Sequence, residues 1–211
     1  MWAEVSDSVV RRAPASLMAD PNERLDAAME RYARGDDGAF DELYRRGAPR
    51  LRGFLLRLSG DGALADDLVQ EVFLRVHRAR GHFAPGAAAL PWIFAIARNV
   101  FLDHTRHPRV RRGGELREDG GIPEREAPPD TKGDEALIGN ELLSIVRATL
   151  AGLPVLQREA FVLIRFEGLS VSEAAQVLGA TEGAVKIRAF RAYEALRAAL
   201  KQNDPKPGAT R

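Results

Sequence analysis

The sequence predicts an all-α chain: two small helical domains joined by a flexible linker, the second a helix-turn-helix. Three observations carry this. Apolar residues recur at three- and four-residue steps in both halves, and no stretch alternates as a half-buried strand would. Between the halves, residues 108–134 (PRVRRGGELREDGGIPEREAPPDTKGD) turn to Pro, Gly and mixed charge, the composition of a linker. Beyond them, a short amphipathic segment ends at Gly179 and a segment rich in Lys and Arg follows, the sequence form of a motif whose second helix reads a DNA major groove.

Each element has its own grounds. Residues 1–22 contain two prolines, Pro14 and Pro21, and no period, so they are expected to form a tail. The first domain is expected over 23–107. Phe40, Leu43, Tyr44, Leu51, Phe54, Leu55 and Leu58 share one helical face, and Pro49 should kink or restart that helix. Ser59–Gly62 reads as a break. Asp61 then caps a helix with the inner stripe Leu64, Leu68, Val72 and Val76. Gly81–Gly86 is a loop, and Pro91–His104 is a helix apolar nearly all round, hence buried on several sides. The second domain is expected over 135–202, with helices at 135–151 and 154–166 before the helix-turn-helix. Ser170 and Glu173 form a capping box, Gly179 suits a left-handed turn, and Thr181 caps the last helix. Residues 203–211 are a polar tail.

Charge sets a boundary on partners. The 211 residues carry 31 Lys and Arg against 30 Asp and Glu, a net +1. A chain so balanced does not coat nucleic acid, so any DNA binding must come from local clustering. Lys186, Arg188 and Arg191 supply it within two turns that hold no acid. There is no cysteine, which excludes disulfides and thiolate metal sites and fits a reducing cytoplasm. The longest apolar run, 87–97, is broken by Pro91 and is too short to span a bilayer. The expected location is cytoplasmic, without membrane insertion.

The candidate functional residues fall into two groups. In the last helix, Thr181, Lys186, Ile187, Arg188, Phe190 and Arg191 occupy the turns where helix-turn-helix proteins meet base edges. Arg suits the O6 and N7 acceptors of guanine, and Phe190 suits a thymine methyl. Val185, Ala189 and Leu196 form the inward face. In the first domain, Asp67, Gln70, Glu71 and Arg75 form a polar ridge opposite the apolar stripe, which by itself reads only as a wet face.

Together, DDLVQEVFLRV, PWIFAIARNVFLDH and LPVLQREAFVLIRFEGLSVSEAAQVLGATEGAVKIRAFRAYEALR resemble, in this order, the bacterial RNA polymerase sigma factors of the extracytoplasmic-function type. The resemblance covers about residues 25–107 and 135–200. It implies that Asp67, Gln70, Glu71 and Arg75 bind the coiled coil of the polymerase β′ subunit. It implies that the helix from Trp92 to His104 and the loop before it engage the promoter −10 element and its melted strand, through Phe83, Trp92, Arg98, Asn99 and Arg106. Trp92 reads more readily as a core residue than as a base contact, whereas Arg98 and Asn99 read equally as DNA contacts or helix surface. Arg109, Arg111 and Arg112 extend a basic run that suits upstream phosphates or a plain charged linker. The second domain would read the −35 element and meet the β flap, and an anti-sigma factor would restrain the whole. Two positions depart from the family pattern. Ile187 stands where many members carry a small polar residue, and the His82–Ala89 loop is poor in the usual polar groups.

Two other readings compete. A regulator with a LuxR-like output domain would share the 154–200 pattern, but would need a sensor domain that the helical first half does not resemble. An enzyme would have to rest on Asp103, His104 and His107, with no third His and no HExxH pattern. No catalytic residue, metal or cofactor is expected, and no phosphate-binding glycine loop is present.

Overall fold

The computed structural model of the chain describes residues 21–106 and 133–203. The expected tails and most of the expected linker lie outside the described residues, as do Arg109, Arg111 and Arg112. Every regular element among those described is helical: α1 Pro21–Ala33, α2 Ala39–Ser59, α3 Gly62–Ala79, a 3-10 turn Arg80–His82, α4 Ala89–Arg106, α5 Gly133–Gly152, α6 Val155–Arg165, α7 Val171–Leu178 and α8 Glu182–Gln202. No helix among them is long and apolar enough to cross a membrane.

The boundaries follow from local chemistry. Gly60 ends α2 in the left-handed region at φ 72°, and its N–H reaches the Leu56 carbonyl. Asp61 then accepts from the N–H groups of Ala63 and Leu64, satisfying two donors that the first turn of α3 leaves open. At α7 the capping box closes both ways: Glu173 N–H donates to Ser170 Oγ, and Ser170 N–H donates to the Glu173 carboxylate. Gly179 leaves α7 at φ 58°, a conformation costly for any residue with a Cβ. Thr181 Oγ1 accepts from Ala184 N–H and starts α8.

Pro49 departs from expectation, because α2 runs through it without a restart. Pro49 lies on the exposed face, where water can satisfy the carbonyl that loses its N–H partner. The buried side chains Leu43, Leu51, Phe54 and Leu55 on the other face keep the helix continuous. Tyr44 is exposed rather than core, and lies across the edge of the buried Phe73 with ring centroids 4.7 Å apart.

The first half is a bundle of α1–α4 centred on Phe54 and Phe94, whose rings meet edge-on at 5.1 Å. The second half packs α5, α6 and α7 against α8. The halves do not stand apart as a tethered pair would. One apolar cluster runs from Phe54, Phe94 and Val100 through to Val162, Leu163, Ala174, Leu178 and Val185. Helix α7 lies on α4, and α6 lies on α2.

Polar groups stitch this junction. Arg158 of α6 donates to the carbonyl of Leu58 at the end of α2, at 2.7 Å. It also donates to Ala151 and Leu153 in its own half. Arg98 Nε of α4 donates to Glu159 Oε2 at 3.1 Å, and the Glu159 side chain is wholly buried. The other Glu159 oxygen is buried with no hydrogen-bond partner. Glu167, also buried, lies 3.6 Å from Arg50 and 3.5 Å from Arg57 of α2. Arg50 also donates to the Glu167 carbonyl, and Arg57 sits 4.2 Å from the centre of the Phe166 ring.

Burial pushes both carboxyls above their ordinary value, against the pull of the arginines. For an acid raised in the folded state, the stabilising contribution is full below the ordinary value near 4.5 and is lost as pH climbs through the raised value. Wild-type protein should therefore lose stability relative to Glu159→Gln as pH rises above that value. Denaturant midpoints of the two proteins, compared from about pH 4 to about pH 8, test this; parallel curves would contradict the burial effect. Ser170→Ala should cost about 1 kcal/mol through loss of the capping box, read as a lower midpoint in the same assay.

Candidate nucleic-acid interface

The helix-turn-helix presents the first turns of α8 to solvent. Val185 and Ala192 are buried and anchor the helix, while Lys186, Ile187, Phe190 and Arg191 point outward. Ile187 is 56% exposed and Phe190 46%, unusual exposure for residues of this size and polarity. Thr181 is exposed at the helix start, beside a shallow concavity lined by Ser172, Gln176, Gly179 and Glu182. Lys186 lies 3.8 Å from Glu182, an exposed pair one turn apart and worth little in water. Its ammonium is therefore readily transferred to a phosphate. Arg188 differs from its neighbours. It is half-buried, and its charge acts on the carboxylate of Glu159.

The residues named for the other DNA element are divided by the fold. Phe83 is buried and meets Trp92 edge-on at 5.4 Å. Trp92 is half-buried against the core with Phe83 as its support. Asn99 and Arg106 are exposed on α4. Arg98, between them and the core, is engaged by Glu159, and its side chain is 16% exposed. The loop ahead of α4 is pinned to α1. Gly86 N–H donates to Glu30, and Ala89 N–H donates to Asp26.

On α3, Asp67 and Gln70 are fully presented to solvent. Glu71 and Arg75 are half-buried and paired at 3.0 Å, and Arg75 also takes Asp103 of α4 at 2.7 Å. The ridge is thus two open polar groups beside a cross-braced ion triad. Asp103 is occupied by that brace, His104 is half-buried, and His107 lies outside the described residues. Among the described residues, no group of three or more His, Cys, Asp or Glu is placed to hold a metal ion.

Sequence reasoning missed the buried carboxylates Glu159 and Glu167 and the arginines facing them, Arg50 and Arg57. A signal existed. Glu159 is one turn before the buried Leu163 on a strongly amphipathic helix, so it must share the inward face.

Comparison with known proteins accounts for both halves. Residues 43–111 match Sigma-70 region 2, and residues 143–196 match Sigma-70 region 4. The RNA polymerase sigma factor CarQ of Myxococcus xanthus is 41% identical over 172 residues, spanning 82% of this chain and 95% of that one. The extracytoplasmic-function sigma factor SigM of Mycobacterium tuberculosis is 33% identical over 180 residues, 85% of this chain and 86% of the relative. Among solved structures, CnrH in complex with the cytosolic domain of CnrY superposes with a TM-score of 0.63 at 27% identity, over 88% of this chain and all of that one. The sigma factor RpoE of Bartonella quintana, in complex with the anti-sigma factor NepR, gives 0.60 at 27% identity over 78% of this chain and 98% of that one. A regulator acting outside polymerase would leave the region 2 match unexplained. Both halves, in this order, match one family, and the chain belongs to the extracytoplasmic-function RNA polymerase sigma factors.

Proposed function

We propose that this sigma factor binds core RNA polymerase through the exposed ridge of α3 and reads promoters at two separated elements. The unit over 23–107 serves the polymerase and the −10 element, and the unit over 135–202 serves the −35 element and the β flap. The observation that carries the reading is the outward face of α8, where cations and large apolar side chains stand exposed on a capped, well-anchored helix. Solvent exposure of Ile187 and Phe190 has a cost that a DNA groove removes.

Thr181, Lys186, Ile187, Arg188, Phe190 and Arg191 are assigned to the −35 duplex. Arg191 suits guanine and Lys186 a phosphate. Trp92, Asn99, Arg98 and Arg106 are assigned to the −10 region, with Phe83 as the buried support of Trp92. Holding unpaired bases requires no hydrolysis, because stacking is worth about 1–3 kcal/mol per base. Asp67 and Gln70 offer hydrogen-bonding groups to the β′ coiled coil, and the Glu71–Arg75–Asp103 brace fixes the angle between α3 and α4 beneath them. The setting is cytoplasmic, where polymerase acts, and the chain performs no catalysis of its own. The complex of the sigma factor RpoE with the anti-sigma factor NepR supports an anti-sigma factor as a further partner.

Core polymerase mixed with the purified chain should initiate at a discrete set of sites on total genomic DNA, mapped by sequencing the transcripts. Random initiation would refute the assignment. Arg191→Ala should weaken −35 recognition by about 1–3 kcal/mol without changing holoenzyme assembly. Asp67→Ala with Gln70→Ala, both exposed and outside the brace, should do the reverse, lowering affinity for core polymerase while thermal unfolding stays close to wild type. Normal assembly by that double variant would move the polymerase contact elsewhere.

A further inference from the structure

We propose that Asp26 and Glu30 of α1 are positioning residues for promoter selection: they hold the backbone of the His82–Ala89 loop in the shape that presents it, and the start of α4, to the −10 element, without touching DNA themselves. The inference rests on the assignment of that loop and α4 to the −10 element.

The loop cannot hold itself. From Ala84 to Ala89 it runs APGAAA, with no side-chain hydrogen-bonding group. No serine, threonine, aspartate or asparagine stands in that stretch to cap the first turn of α4. The acceptors come instead from α1. Ala89 N–H, at the start of α4, donates to Asp26 Oδ1 at 2.7 Å, across 63 positions of sequence. Gly86 N–H donates to Glu30 Oε1 at 2.9 Å. Asp26 and Glu30 are one helical turn apart, so a single stripe of α1 carries both carboxylates.

The turn inside the loop needs such a partner. Ala87 N–H donates to the Ala84 carbonyl across Pro85 and Gly86, and Gly86 sits at φ 75°, the pattern of a type II turn. Proline suits the second position of type I and type II alike, and glycine tolerates either sign of φ. The two forms differ by a flip of the Pro85–Gly86 peptide, which reverses the direction of the Gly86 N–H. Glu30 can accept that N–H in only one of them. A hydrogen bond to a carboxylate is about twice as strong as one between neutral groups, so it selects between two turns of similar energy.

The other end of the loop is anchored to the same region. Arg80, in the 3-10 turn, lies 4.9 Å from the centre of the Tyr32 ring of α1 and donates to Asp37 Oδ1 at 2.8 Å. The Tyr32 hydroxyl is 2.5 Å from Nδ1 of His77 on α3. Phe83 and Trp92 meet edge-on between these two anchorages. Direct DNA reading does not account for the acids, because a carboxylate repels a phosphate. Both are half-buried and turned to backbone amides. With few polar side chains of its own, the loop offers the promoter mainly its backbone shape, and α1 sets that shape.

Transcription from a promoter library randomised at both elements, by holoenzymes assembled from full-length variants, tests this. Asp26→Ala with Glu30→Ala should reduce base preference at −10 about tenfold, while −35 preference and affinity for core polymerase stay unchanged. Asp26→Asn with Glu30→Gln keeps an acceptor oxygen at each position and should restore most of the preference. Amide hydrogen exchange across residues 80–92 should quicken in the alanine variant and stay close to wild type in the amide variant. If circular dichroism shows that the alanine pair has lost helix, Glu30→Ala alone replaces it. Unchanged −10 preference in a folded alanine variant, or an amide variant as defective as the alanine one, overturns the positioning role. Asn99→Ala separates that failure from a failure of the promoter assignment. A −10 preference that responds to Asn99→Ala but not to the α1 variants sinks the positioning role and keeps the assignment. A wild-type holoenzyme with no −10 preference removes the assignment, and with it the role built on it.

Discussion

A carboxylate with no access to water governs the arrangement of this molecule. Glu159 is enclosed by the apolar residues of α6 and by the helices on either side of it. An isolated charge there would be intolerable, so it must either take a proton or recruit cations. It recruits Arg98 from the other half of the chain, and Arg158 and Arg188 act on it from its own. The demand of one buried acid thereby fixes which surface of region 4 faces region 2. Apolar packing supplies the attraction between α4 and α7, but apolar packing alone is indifferent to register. The ion pairs at Glu159 and Glu167 select one docking.

Local structure was largely legible because its causes are local. Asp61, Ser170 with Glu173, Gly179 and Thr181 each act within four residues of their own position, so spacing along the chain contains the whole argument. Pro49 does not restart the helix, because its effect depends on something non-local. The missing N–H matters only where the orphaned carbonyl is buried, and the packing of α2 turns that side to water. The candidate interface on α8 was legible for the same reason as the caps. A helix anchored by Val185 and Ala192 leaves Lys186, Ile187, Phe190 and Arg191 on one outward face by geometry alone.

What escaped the sequence was the pairing between distant residues. Arg98 and Glu159 are separated by 61 positions, and Arg50 and Glu167 by 117. No periodicity relates them. Arg98 and Phe83 illustrate the consequence. The family resemblance assigns both to the −10 segment, yet the fold shields the first with a carboxylate from region 4 and buries the second against Trp92. Position in a family motif therefore says which helix meets the ligand, while tertiary packing decides which side chain on it is available in a given state.

The same packing explains how a chain of net charge +1 can serve as a DNA reader. Most arginines of the first half are engaged internally, with Arg31, Arg46, Arg52, Arg75 and Arg80 each within 3.0 Å of a carboxylate. Few cations remain to release counterions from a duplex, and counterion release supplies most non-specific affinity. The free chain should hold DNA weakly at either site. Two weak sites become one strong one when a rigid body fixes their separation, because the second contact then forms at high effective concentration. Core polymerase is the rigid body that the two regions require.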